Sequence, residues 1–196
     1  AIQRAQALIS SHGQAFHAST QDRFIARDVV VDADGSEHVR FDRSFAGLPV
    51  MGGDIVVHSR GGQFKAASLT QRGTLKLGTR PTVNQGDAVV SAGAEFGSSF
   101  RGTPSASLLV YARGANPVLA WNVQMQGADA NGNDRDMTYI VSANDGRVLD
   151  RWSNMETAKP GGGGGSCSGT TSASGTGKTL FSGNVAISTQ NCGSSF

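Results

Sequence analysis

The sequence predicts an α+β protein of two similar lobes, each a helix packed on an antiparallel sheet, then a Gly-rich linker and a further strand or bent pair of strands. Three observations predict it. Apolar residues recur at helical spacing twice, within 1–12 and again after Pro81. After each helical stretch the apolar period falls to two, with turn residues between the runs. From Lys159 onward Gly, Ser and Thr take over.

The first helix rests on Ile2, Ala5 and Ile9, with Gly13 suited to the position past a helix end. Residues 24–31 then read as a strand, Asp34-Gly35 as a turn, and 37–45 as a second strand. Gly47-Leu48-Pro49 reads as another turn, 54–59 as a third strand, Gly61-Gly62 as a hairpin turn and 63–71 as a fourth strand. A second helix opens at Pro81-Thr82-Val83-Asn84, carries the stripe Ala88, Val89, Ala92 and Phe96, and ends at Gly97. Strands follow at 107–113, 118–126, 137–143 and 148–152, with Asn144-Asp145-Gly146-Arg147 as the turn before the last. The polar run 129–136 reads as a long hairpin loop.

These readings divide the chain into 1–80, 81–157, a linker over 158–175 and a segment 176–196 with strand character over 179–189. The Gly161–Gly165 tract and the Ser/Thr/Gly stretch after it have too little apolar surface to order themselves.

Composition narrows the function classes. Against 17 Lys+Arg stand 15 Asp+Glu, and the basic residues are scattered, so no nucleic-acid footprint is expected. No apolar run approaches membrane-spanning length, so no membrane partner is expected. A basic start followed by an apolar core is absent, so a secretory signal is expected to be missing from this stretch. Cys167 and Cys192 cannot complete a four-ligand zinc site, since no His lies beyond His58. One reading is a disulfide closing a loop of about 25 residues, worth on the order of 3 kcal/mol, which favours an oxidising compartment. The other is two unpaired buried thiols.

The most informative stretch is 38–58: His-Val-Arg-Phe-Asp-Arg-Ser-Phe-Ala-Gly-Leu-Pro-Val-Met-Gly-Gly-Asp-Ile-Val-Val-His. Its His38, Arg40, Gly47, Pro49, Val50, Gly52 and His58 resemble the fungalysin–thermolysin propeptide motif of secreted zinc endopeptidase precursors. Further on, Pro117-Val-Leu-Ala-Trp-Asn-Val123 and Tyr139-Ile-Val-Ser-Ala-Asn-Asp-Gly-Arg-Val-Leu149 are similar to the PepSY-type half of such propeptides. Trp121, Ser142 and Asp145 depart from the usual residues there. Gly175-Thr-Gly-Lys-Thr-Leu-Phe-Ser-Gly183 resembles the start of the mature peptidase.

The resemblance implies a secreted propeptide that acts as intramolecular chaperone and cleft-blocking inhibitor of its own metalloendopeptidase. That partner would be met in cis, or in trans after cleavage. Processing is expected near 155–158, with Thr157-Ala158 favoured, and Trp152, Met155, Glu156, Thr157 and Ala158 as the segment entering the cleft. Zinc, together with calcium, is implied for a downstream peptidase domain and no cofactor for this chain. His-Glu-x-x-His does not occur here, so the chain alone is not expected to be an enzyme. The alternative is a stand-alone PepSY-type binding or protease-inhibitor module.

Competing site readings are weaker. Gly175-Thr-Gly-Lys-Thr179 lacks a phosphate-loop glycine, because Ser172 stands in its place. Asp129, Asn131 and Asn133 alternate like calcium ligands but break the EF-hand pattern at Asp134 and Ile140. His38, His58 and Arg40 are expected to satisfy partners on paired strands, and Phe41, Phe45, Val50 and Ile55 to be core.

Overall fold

The structure, a computed structural model, describes residues 1–97, 100–114, 116–129 and 131–155, and, as backbone, 171–179 and 183–191. The chain divides into two compact units, Ala1–Met155 and Glu156–Phe196. In the first, helix α1 (Ile2–Ser11) leads through a short 3-10 turn (Gly13–Phe16) to strands β1 (Asp22–Val31), β2 (Ser36–Phe45), β3 (Leu48–Met51), β4 (Ile55–Arg60) and β5 (Gln63–Leu69). Helix α2 (Gln85–Phe96) and strands β6 (Phe100–Tyr111), β7 (Val118–Ala128), β8 (Asp134–Ser142) and β9 (Val148–Ser153) complete it. The described residues are therefore mostly sheet, with two α-helices.

Both predicted helices form. Ala5 and Ile9 of α1 are buried with Phe16, Val39, Phe41, Ile55 and Val57. In α2, Asn84 caps the N-terminus by accepting the backbone N–H of Asp87, as Asn at that position should. Ala88, Ala92 and Phe96 pack on Val123, Met125, Tyr139 and Val141. The period-two reading holds on β2, where Glu37, Val39, Phe41, Arg43 and Phe45 all face inward.

The strands of the two expected lobes are joined edge to edge. All nine strands of the first unit form one sheet, in the order β5-β4-β2-β3-β6-β7-β8-β9, with β1 paired to β2. The joint is β3, a strand the sequence reading replaced with a Gly-Leu-Pro turn. The turn lies one step earlier, at Ala46-Gly47, where both residues have positive φ (49° and 85°). That is the two-residue hairpin geometry whose twist matches its strands, and it sets Phe45 opposite Leu48. Pro49 has no N–H to offer, and the parallel pairing to β6 falls instead on Val50 and Met51, opposite Val110 and Tyr111.

Around this short ladder the contacts are dense. The Ala112 N–H donates to Met51 O at 2.9 Å. The Gln71 Nε2 donates to Ala112 O at 2.9 Å and to Gly52 O at 3.2 Å, and Thr70 Oγ1 donates to Gly52 O at 2.6 Å. Phe45, Val50, Leu75, Val110 and Ala112 close an apolar cluster there. Gly52 sits at φ 83°, and a Cβ on it would meet Arg113 Cγ at 2.9 Å and the Ala112–Arg113 backbone at 3.2 Å. Only glycine lets the two backbones approach so closely.

Two further expectations shift. The polar run 129–136 is not one long loop: β7 reaches Ala128 and β8 starts at Asp134, so Gln126 pairs with Asp136 and Gly127 with Arg135. The alternating charges suit the exposed end of a ladder, and Arg101 ion-pairs with Asp134. In the second unit, β10 (Thr171–Thr179) pairs antiparallel with β11 (Gly183–Asn191). β10 thus starts inside the stretch assigned to the linker. Its composition offers few apolar groups, but a ladder needs only backbone partners, and β11 supplies them. The Gly161–Gly165 tract lies outside the described residues.

Gly52→Ala should cost about 2 kcal/mol or more, since left-handed strain adds to overpacking. Gly47→Ala has a similar φ but open space for a Cβ, and should cost only about 1–2 kcal/mol. Urea unfolding of the two variants checks this; equal losses would contradict a close approach at Gly52.

Candidate functional site

The motif residues fall into two groups. Gly47, Pro49, Val50 and Gly52 build the joint just described. His38, Arg40 and His58 lie on the opposite face of β2 and β4 from α1, because their neighbours Val39, Phe41 and Val57 are the buried ones. Here His38 stands directly across from His58. Their Nδ1 atoms are 2.6 Å apart, and the rings meet edge to face at 4.8 Å. The His38 Nε2 lies 2.9 Å from Asp32 Oδ2, and the His58 Nε2 lies 2.8 Å from Ser68 Oγ. Burial, helped by His38, pushes the His58 imidazolium down, so the neutral ring is favoured. Arg40 donates to Asp54 at 3.1 Å on the exposed surface.

The inward face of β2, with the start of β1, holds a pair to which no motif in the sequence pointed. Arg43 and Asp22 have fully buried side chains, and Arg43 Nε donates to Asp22 Oδ1 at 2.6 Å. Arg43 Nη2 also donates to His17 O at 3.0 Å, and the guanidinium sits 5.5 Å from the centre of the Phe24 ring. The other oxygen of Asp22 accepts from both the N–H and the Oγ of Ser19, each at 2.7 Å. Burial pushes the Asp22 carboxyl up, but the Arg43 and Ser19 hydrogen bonds outweigh it and hold the group below its ordinary value. A signal for this pair was present: Arg43 falls on the inward phase of β2 between Phe41 and Phe45. Toward the other end of β2, Glu37 is buried, ion-paired by Arg4 of α1 and hydrogen-bonded by Ser59. The Arg4 contact holds its carboxyl below the ordinary value.

The far edge of the sheet is β9, which pairs only with β8 among the described residues. Trp152 is half-buried and, like Met51, Tyr111 and Leu149, packs against the cluster of Leu109, Ala120 and Ile140, with the Arg113 guanidinium 5.7 Å from its ring centre. Tyr111 donates to Asp150 at 2.8 Å, tying β6 to the same strand. Asn154 then clamps the strand end: its N–H donates to Asp136 O at 2.8 Å, and its side chain bonds Thr138 and Asp136. Met155 is the first large apolar side chain beyond that clamp to be exposed, at 43%. Of the expected processing segment, Trp152 is therefore occupied in packing and Met155 is presented. Glu156, Thr157 and Ala158, and also Cys167 and Cys192, lie outside the described residues.

The Asp129 side chain is spent within its own turn, its Oδ1 accepting the N–H groups of Asn131 and Asn133 at 2.8 and 2.9 Å. Among the described residues no three His, Cys, Asp or Glu side chains gather as a metal cluster. No helix there is long and apolar enough to cross a membrane.

Comparison with known proteins bears on this arrangement. The family described as Fungalysin/Thermolysin Propeptide Motif matches residues 22–70, which covers β1 to β5. The transglutaminase-activating metalloprotease of Streptomyces mobaraensis is 30% identical over 182 residues, 90% of this chain and 22% of that protein. The thermolysin of Alicyclobacillus acidocaldarius subsp. acidocaldarius is 30% identical over 141 residues, 66% of this chain and 25% of its own length. The bacillolysin of Bacillus caldolyticus is 28% identical over 144 residues, 67% of this chain and 26% of its own. The chain thus spans about a quarter of the curated relatives it matches.

The Asp22–Arg43 pair gives a pH-dependent prediction. Because the Asp22 carboxyl is held below its ordinary value, its contribution is complete above the usual carboxylate range. It is lost as pH falls through the lower folded value. Asp22→Asn should cost about 3 kcal/mol at neutral pH by leaving Arg43 unpaired. The gap to wild type should narrow on acidification, read from urea midpoints between about pH 6 and pH 2. A constant gap across that range would contradict it.

Proposed function

Starting from the fact that this chain belongs to the propeptide region of thermolysin-family metalloprotease precursors, we propose that it holds its own peptidase domain inactive until processing and helps that domain fold. The observation that supports this reading best is the end of the sheet. Among the described residues β9 has no strand on its outer side, and the chain leaves it at Asn154 with an exposed Met155 next in line. An extended segment can add to the edge of an enzyme cleft as a strand, its backbone supplying affinity and its side chains specificity. Met155 would fill an apolar subsite, and Glu156, Thr157 and Ala158 would carry the processing junction.

While the two parts are joined, the tether keeps the segment at high effective concentration near the cleft. After cutting, the same surface would remain as a product-like inhibitor. Trp152 and Asn154 would act by fixing where the strand departs, so that Met155 arrives at a defined distance from the sheet. Assistance in folding has a kinetic rationale: sheets built from non-local pairings assemble slowly, and a preformed edge offers a template.

In this reading residues 81–157 are the PepSY-type half. The support is α2 lying on β7 and β8, Trp121 donating to Val83 O at 2.9 Å, and the Asn144-Asp145-Gly146 turn. The Asp145 carboxyl, held by Ser142 and Arg147, is drawn down to about 2 in that turn. Residues 176–196 would begin the mature peptidase, whose zinc would be held by residues outside this sequence, as His-Glu-x-x-His is not within it. Secretion, with a pairing of Cys167 and Cys192, fits the same picture.

The full chain added in trans should inhibit the mature peptidase of the same precursor. Replacing Met155, Glu156 and Thr157 with Gly-Ser-Gly, with Trp152 and Asn154 kept, should raise the inhibition constant about tenfold or more. An unchanged constant in a peptide-hydrolysis assay would rule out cleft blocking by this segment.

A further inference from the structure

We propose that His38 and His58 form a two-nitrogen clip for an imidazole-seeking divalent cation such as Zn2+, binding β2 to β4 on the outward face of the propeptide sheet. The geometry has three parts. The rings are directly opposed across an antiparallel pair, and their Nδ1 atoms converge to 2.6 Å. Each outer nitrogen is held by a separate element: His38 Nε2 by Asp32, just beyond β1, and His58 Nε2 by Ser68 on β5.

The hydrogen-bond roles make this convergence informative. A carboxylate only accepts, so the Asp32 contact places the proton of a neutral His38 on Nε2 and leaves a lone pair on Nδ1. When Ser68 Oγ accepts from His58 Nε2, the same holds for the second ring. Two lone pairs then face each other at a distance where a positive centre must stand between them. Metal-bound histidines carry this outer pattern, with the non-ligating N–H given to a carboxylate or other oxygen that orients the ring. At a metal–nitrogen distance of about 2.0 Å the tetrahedral bite is about 3.3 Å, so binding requires the rings to part by a fraction of an ångström. The protein supplies two ligands, and water completes the shell on the open face.

The competing occupant of the gap is a single proton, with Ser68 donating to His58 instead. Both the clip and the proton bridge are local to this face, and the clip does not depend on the inhibitory role proposed above.

The test uses the full chain near neutral pH with Zn2+ alone as the probe and Mg2+ as the control. Zn2+ at on the order of 100 µM should raise the thermal midpoint by about 2–4 °C, with no effect of Mg2+. His38→Gln and His58→Gln should each abolish the shift. Asp32→Asn keeps both ligating nitrogens and should raise the Zn2+ concentration for half the effect about tenfold. Nitrogen-15 spectra of the wild-type histidines read the same event without any variant: Zn2+ should move Nδ1 of His38 and His58 and leave their Nε2 protonated. No thermal shift in the wild type, a shift that survives both His variants, or movement confined to His12 and His17 would each overturn the proposal.

Discussion

Two residues of parallel pairing, Val50 and Met51 against Val110 and Tyr111, hold the first unit together as one sheet. Every other strand contact of that unit is antiparallel and stays within one half of the chain. A ladder that short is weak unless its surroundings reinforce it. Here they do: Gln71 bridges carbonyls from both sides, and Phe45 and Val110 bury the same cluster. The joint admits no side chain at Gly52 because the backbone of residues 112–113 lies against it. The Gly-Leu-Pro-Val-Met-Gly portion of the motif is thus accounted for by packing between the two halves.

Each half is then secured by its own polar anchors. In the first, α1 is tied to β2 by Arg4 and Glu37, and the approach to β1 by Asp22, Arg43 and Ser19. A buried ion pair contributes little net stability but tolerates few alternatives, since removing one partner strands the other. In the second, Arg135 donates to Phe96 O at the end of α2 and also stacks 4.7 Å from the Phe96 ring centre. Tyr111, Trp152 and Arg113 connect the joint to β9. A continuous path of packing therefore runs from the motif to β9 and the strand end held by Asn154.

Much of this was legible in the sequence, and the failures are instructive. Both helices, most strand positions and the core residues Phe41, Phe45, Val50 and Ile55 followed from periodicity, and all four are buried. β3 escaped because Gly and Pro dominate any local reading of residues 47–49, while its strand character comes from a partner 60 residues away in sequence (Val50 to Val110). The merging of two expected lobes into one sheet escaped for the same reason. Asp22–Arg43 was recoverable in part from the inward phase of Arg43, but its partner lies on another strand. The partners of the motif histidines, Asp32 and Ser68, come from two further elements, and no spacing within the motif points to them.

The central claim is that residues 1–155 behave as one cooperative body through the β3–β6 joint, so that the departing segment is held on a firm base. Native-state hydrogen exchange on the full chain tests it most directly. If the claim is right, the slowest amides of β2 and β4 and those of β7 and β8 share one opening free energy, with the Ala112 amide among them. If the halves open at clearly different free energies, with Ala112 exchanging early, the sheet is two bodies in contact and the account fails.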